Sequence, residues 1–190
     1  KQTRKPDVMR GEETQISGFL TRHKDWDGVL CMPGTHTKWV HVSAGEVVSF
    51  QTFLTGEMFD LLSTQSVLRH SVTTSELDAD VFDTAVRETL SRPAELAAGV
   101  FSIRATHLLQ NTPPSQSRAR LSGLLIGAEI SAAKPYWLGQ RIALVGAAML
   151  SGLYARAQAS QGLNVDLADA TEMTLAGLSA ARQAHLLSIQ

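Results

Sequence analysis

At 190 residues, with 44% hydrophobic and 18% charged, the chain is long enough for a sizeable core and has the composition of a soluble globular protein. Its 17 Lys and Arg against 18 Asp and Glu leave a formal charge of −1, which excludes the basic balance of a nucleic-acid or anionic-membrane binder. One cysteine, Cys31, excludes an internal disulfide and argues against structural zinc; with no signal peptide and no spanning apolar run, a cytoplasmic protein is expected.

Residues 1–8 are polar and read as extended. In the following Met9–Gln15 (MRGEETQ), with Ile16, Phe19 and Leu20 behind it, the apolar spacing is helical, and Glu12 and Glu13 fall in the first turn. Carboxylates are favoured there by the helix dipole, so the pair has a structural reading before any chemical one. Asp25-Trp26-Asp27-Gly28 is a turn. Strands are predicted at 29–33, 37–43 and 46–54, joined by short connections into an antiparallel meander.

The Val29–Val42 stretch (VLCMPGTHTKWVHV) is the most informative of these. Pro33-Gly34 breaks an apolar run, and Thr35, His36 and Thr37 put small hydroxyls and free amides at the turn, with Lys38 beside them. Two accounts fit: an ordinary hairpin with a polar tip, or a cradle for a phosphate.

After Thr55-Gly56-Glu57 the period changes. Helices are predicted from Met58, over 76–91, over 94–110, and from Ser115 to Lys134 as the longest. A strand from Arg141 to Val145 leads into Gly146-Ala147-Ala148, a helix covers 148–161, Leu163 to Leu167 is a strand, and Thr171 to Leu187 is the last helix. There is no Walker loop, dinucleotide glycine fingerprint, zinc-protease motif or nucleophile elbow. Three meander strands, a helical block, then strand–helix–strand–helix predict an α/β fold of ribonuclease-H-like topology: a mixed sheet, antiparallel then parallel, with helices on both faces.

Met9–Gln15, Pro33–Val40 (PGTHTKWV), Thr52–Leu62 (TFLTGEMFDLL), Ser122–Glu129 (SGLLIGAE) and Ala176-Gly177-Leu178 occur in that order. Together, with Arg104-Ala105-Thr106-His107, they resemble the 2-dehydro-3-deoxygalactonokinase family of the actin-like/hexokinase ATPase superfamily. The resemblance implies a C-terminal actin-like ATPase domain over 29–190. A leading segment, 1–28, holds the carboxylate motif, and the family's N-terminal domain, with its Asp-x-Gly loop, is absent. It implies ATP and Mg2+ as cofactors and phosphorylation of the terminal hydroxyl of 2-dehydro-3-deoxygalactonate. The alternatives are a kinase for another sugar or sugar acid, or a truncated domain that only binds nucleotide or pairs with itself.

The resemblance also implies roles. Glu12 is favoured over Glu13 as the base that takes the hydroxyl proton. Gly34, Thr35, His36, Thr37 and Lys38 match the second phosphate loop. Arg10, Gln15, Thr55 and Glu57 are expected at the sugar acid, Arg10 on its carboxylate. Gly146, Ala147 and Gly177 are expected at the nucleotide, with no side chain assigned to a metal. Bland readings stand beside these: Lys38 pointing to water, Arg10 in a structural ion pair, Thr55 capping a helix, His107 a core histidine. The partner expected is a small-molecule sugar acid, with no nucleic acid or membrane and with homodimerisation as a further expectation.

Overall fold

The computed structural model describes residues 6–189. In chain order the elements are α1 (Glu12–Arg22), β1 (Gly28–Met32), β2 (Thr37–Ser43), β3 (Glu46–Phe53), α2 (Thr55–Thr64), α3 (Ala79–Ser91), α4 (Leu96–Gln110), α5 (Pro114–Ala132), α6 (Lys134–Trp137), β4 (Ile142–Gly146), α7 (Ala148–Ala159), β5 (Val165–Asp169) and α8 (Ala170–Ser188). The five strands form one sheet in the order β3-β2-β1-β4-β5. β1, β2 and β3 pair antiparallel, whereas β4 joins β1, and β5 joins β4, in parallel. The β2–β3 hairpin closes through Ala44 and Gly45, both at positive φ, as a two-residue turn that follows strand twist requires.

The chain divides into two compact units. The first comprises the residues up to Phe53, Pro135–Ala155 and those from Asn164 on, and so contains the sheet. Strand alternation gives the sheet two different faces. On one, Leu30, Met32, Val40, Val42, Ala143 and Val145 pack with Ile16 and Phe19 of α1 and Met173 of α8. On the other, Thr37 Oγ1 lies 3.0 Å from the hydroxyl of Tyr154, in the middle of α7, which sets that helix against the sheet. Helices therefore cover both faces, as the topology predicted. α1 and α8 cross at glycines: a Cβ on Gly18 would run into the Met173 carbonyl, and one on Gly177 into that of Thr14.

The second unit comprises Leu54–Lys134 and Arg156–Leu163. Its core is Leu68, Val72, Ala85, Ile103, Leu121, Leu124 and Leu125. Gly123 and Gly127 let α5 approach the α3 backbone at Phe82 and Val86. Two guanidinium–carboxylate forks bind its surface: Arg120 to Glu88 at 2.9 and 3.0 Å, and Arg156 to Asp83 at 2.6 and 2.7 Å.

Several boundaries differ from the periodicity reading: α2 starts at Thr55, three residues before Met58, with Leu54 and not Thr55 at its N-cap, and two other starts have clear local causes. The helix expected from 76 starts at Ala79, because the Asp78 carboxylate accepts the amides of Asp80 and Val81 as its N-cap. The last strand starts at Val165, not Leu163: the chain turns at Gly162 with φ 73°, and the Leu163 amide bonds back to the Gln158 carbonyl. No helix among the described residues is long and apolar enough to cross a membrane.

Candidate active site

Adjacent parallel strands β1 and β4 end side by side, where ligands of open α/β sheets are bound. β1 runs into Pro33-Gly34-Thr35-His36, and β4 ends at Gly146, followed by exposed Ala147 and Ala148. The two turns touch: a Cβ on Gly146 would lie 3.4 Å from Pro33 Cδ and from its carbonyl, and 2.7 Å from Ser151 Oγ. Gly34 is different. It has ordinary φ, and a Cβ there would meet nothing within 4 Å. Neither backbone strain nor protein packing demands a glycine at that tip, whereas a ligand approaching the backbone would.

α1 starts beside the same turn. Its N-cap, Gly11, sits at φ 101°, a conformation that favours glycine, and has no side chain to cap the helix. The acidic pair takes over. Glu13 Oε2 accepts the Gly11 amide at 2.5 Å, and Glu12 Oε2 accepts the Arg10 amide at 3.0 Å. The two carboxylates then part. Glu13 faces a groove of about 860 Å³ with Met9, Ile16, Leu20, Val47 and Phe50 in its wall. Glu12 Oε1 lies 3.0 Å from Lys38 Nζ. Burial raises the Glu12 pKa, but the Lys38 hydrogen bond, the amides of Glu12 and Arg10 and the Lys38 charge outweigh it and hold the carboxyl below the ordinary glutamate value. Glu12 is an ionised carboxylate at neutral pH, with lone pairs left to accept another proton donor.

Around this turn the structure brings Glu12, Lys38 and Gly146 to Gly34, Thr35, His36 and Thr37, with the Arg10 amide on Glu12 and Ala147 following Gly146; Glu13 and Gln15 share the α1 start. Two side chains differ from the sequence expectation. The turn offers one exposed hydroxyl, that of Thr35, because Thr37 is fully buried with its Oγ1 on Tyr154. Lys38 does not point to water. It is 5% exposed, and Nζ also donates to the His36 carbonyl at 3.3 Å.

No carboxylate among the described residues pairs with the exposed Arg10 guanidinium, which leaves it available to an acidic ligand. Thr55 and Glu57 open α2 and belong to the second unit, Thr55 being buried there. Gly177 lies in the α1–α8 crossing, which accounts for the glycine by packing alone. His107 is half-buried, with Nδ1 3.3 Å from the Thr112 carbonyl, and is not the core histidine of the bland reading. Ser151 was not singled out from sequence. Its buried Oγ, set against Gly146, has no hydrogen-bond partner among the described residues. The signal was there: Ser151, Tyr154 and Gln158 are polar at helical spacing on one buried stripe of α7.

A family model described as 2-keto-3-deoxy-galactonokinase matches residues 1–181. A Rhizobium meliloti (strain 1021) protein named as a probable 2-dehydro-3-deoxygalactonokinase, DgoK1, is 44% identical over 185 residues, which is 95% of this chain and 60% of that protein. The 2-dehydro-3-deoxygalactonokinase of Escherichia coli (strain K12) is 38% identical over 159 residues, 83% of this chain and 53% of the relative. A crystal structure from Sinorhizobium meliloti bearing the same enzyme name superposes with a TM-score of 0.89 at 44% identity, over 95% of this chain and 62% of that one. The chain thus spans 53% to 62% of the length of these relatives.

Proposed function

Because this chain belongs to the 2-keto-3-deoxy-galactonokinase family, we propose that it forms one wall of a site transferring phosphate from ATP to the terminal hydroxyl of 2-dehydro-3-deoxygalactonate. The observation that carries this reading is the Glu12 carboxylate, held 3.0 Å from Lys38 Nζ, beside an open glycine turn at the end of β1. In the reaction the sugar oxygen attacks the γ-phosphorus, the bond to the ADP oxygen breaks, and Glu12 takes the hydroxyl proton. A carboxylate of lowered pKa is a weak base. In a loose phosphoryl transfer the proton leaves late, so position outweighs basicity.

The Gly34, Thr35 and His36 amides and the Thr35 hydroxyl stabilise charge on the transferring phosphoryl oxygens. Gly146 and Ala147 let the nucleotide approach the backbone, and the Arg10 guanidinium takes the substrate carboxylate as a fork. Among the described residues no three carboxylates, histidines or cysteines converge as a metal cage. Magnesium is proposed only as the companion of ATP, and no step runs through it. A cytoplasmic setting goes with ATP as donor. Leu175, Leu178, Leu186 and Leu187, all exposed on α8, support pairing with a second copy; a monomer at every concentration in sedimentation would rule that out.

Two-dimensional NMR tests the site on this chain. ATP should shift the amides of Gly34–Thr37 and Gly146–Ala147, and the sugar acid should shift Arg10 and Glu12. Shifts confined to other parts of the chain would overturn the reading.

A further inference from the structure

We propose that Lys38 is a positioning residue: it fixes the Glu12 carboxylate against the Pro33–Thr37 turn and does not itself hold the transferring phosphoryl group. This deepens the reading above and rests on Glu12 being the base. Lys38 follows Thr37 on β2, and alternation sends it to the face of Val40 and Val42, beneath α1. Its ammonium is nearly sealed from water and has three protons to donate. One goes to Glu12 Oε1 at 3.0 Å and a second to the His36 carbonyl at 3.3 Å. A single side chain thereby ties the first turn of α1 to the turn that follows β1.

Removing Glu12 would strand the buried Lys38 ammonium, which favours keeping the pair together; Glu12 itself is only partly buried. Glu12 is held from the other side as well, through the Arg10 amide. Of the neighbouring charged residues, Glu13 folds back on the Gly11 amide, Asp7 accepts the amide of Thr52 opposite Lys38, the Arg10 amide donates to Glu12, and the His36 carbonyl accepts from Lys38. Lys38 is therefore the cation that sets the ionisation of Glu12. A lysine reaching out to phosphate would have to give up one or both of its present bonds.

Two measurements on this chain test the inference. In the first, the Glu12 side-chain carboxyl is titrated by 13C NMR in the wild type and in Lys38→Met, which keeps the stem and removes the charge. The wild-type midpoint should lie below that of exposed glutamates, and Lys38→Met should move it up, since burial remains and the cation is gone. An unmoved midpoint, or a wild-type midpoint in the ordinary range, overturns the proposal. Where Lys38→Met folds poorly, Lys38→Gln, which also removes the charge but keeps a donor, reads the same upward shift, and an unmoved midpoint there overturns the proposal.

In the second, the Kd of a non-hydrolysable ATP analogue is compared. Positioning predicts little change in Lys38→Met, whereas losing a charged phosphate contact costs about tenfold or more. A tenfold loss would make Lys38 a phosphate ligand and overturn the proposal. Absence of analogue binding in the wild type would instead sink the kinase reading, and the titration would still decide whether Lys38 governs Glu12.

Discussion

Glu12 and Gly34 carry the functional claim at the scale of single residues, and each makes a prediction the other does not. Gly34→Ala meets no protein atom and no positive φ. Its stability should change by less than about 1 kcal/mol, while ATP affinity falls, because the new methyl occupies the space a phosphate would use. Thermal unfolding and a binding titration on the same sample check both halves; unchanged affinity would make the turn an ordinary hairpin tip. Sequence exposed Glu12 well, since an acidic first turn is a local signal. Lys38 was harder, although β2 alternation already put it on the face of Val40 and Val42, where a lysine needs a carboxylate. The partner, Glu12, lies 26 positions upstream, and no local pattern joins the two. The contact between Thr37 and Tyr154 was hidden for a related reason: Tyr154 arrives from α7, so only tertiary structure brings the two hydroxyls together.

Between elements, glycines have opposite meanings that a sequence does not distinguish. In a helix interior Gly→Ala stabilises by about 0.5–1 kcal/mol where there is room. Gly152 of α7 has nothing within 4 Å of the added methyl, so Gly152→Ala should raise the melting temperature. Gly177 of α8 is pressed on the Thr14 carbonyl of α1, and forcing a methyl into backbone costs about 1–3 kcal/mol or more. The clash exceeds the propensity gain, so Gly177→Ala should lower the melting temperature. Equal shifts in the two variants would contradict the described α1–α8 crossing. Element order and type were legible because each helix and strand has its own period. The starts of α3 and β5 were not, because an aspartate cap and a glycine turn, not the apolar pattern, set them.

For the whole molecule, acid stability should reflect carboxylates in both units. A hydrogen bond from Arg156 holds Asp83 below its ordinary value, and one from Arg120 does the same for Glu88, while Lys38 and backbone amides overcome burial to do so for Glu12. Each is ionised more readily in the folded than in the unfolded chain. The stability they contribute is present above the unfolded pKa values, about 3.9 for Asp and 4.3 for Glu, and is lost as pH falls through the lower folded ones. Melting temperature should therefore hold from neutral pH down to about 5 and fall below it. A fall that begins near neutral pH would assign the loss to other groups. The division into two units was not legible, because no linker marks the crossings at residues 53–54 and 134–135; the helical block reads as an ordinary connection between strands. The most direct test of the central claim is a coupled ADP-release assay with ATP, magnesium and 2-dehydro-3-deoxygalactonate. It would be run on this chain and on a version extended to the length of its relatives, each as wild type and as Glu12→Gln. Sugar-acid-dependent ADP release should appear and drop by about 10²-fold or more in Glu12→Gln, with ATP binding retained. Undiminished release in Glu12→Gln, or no sugar-dependent release in any version, would contradict the claim.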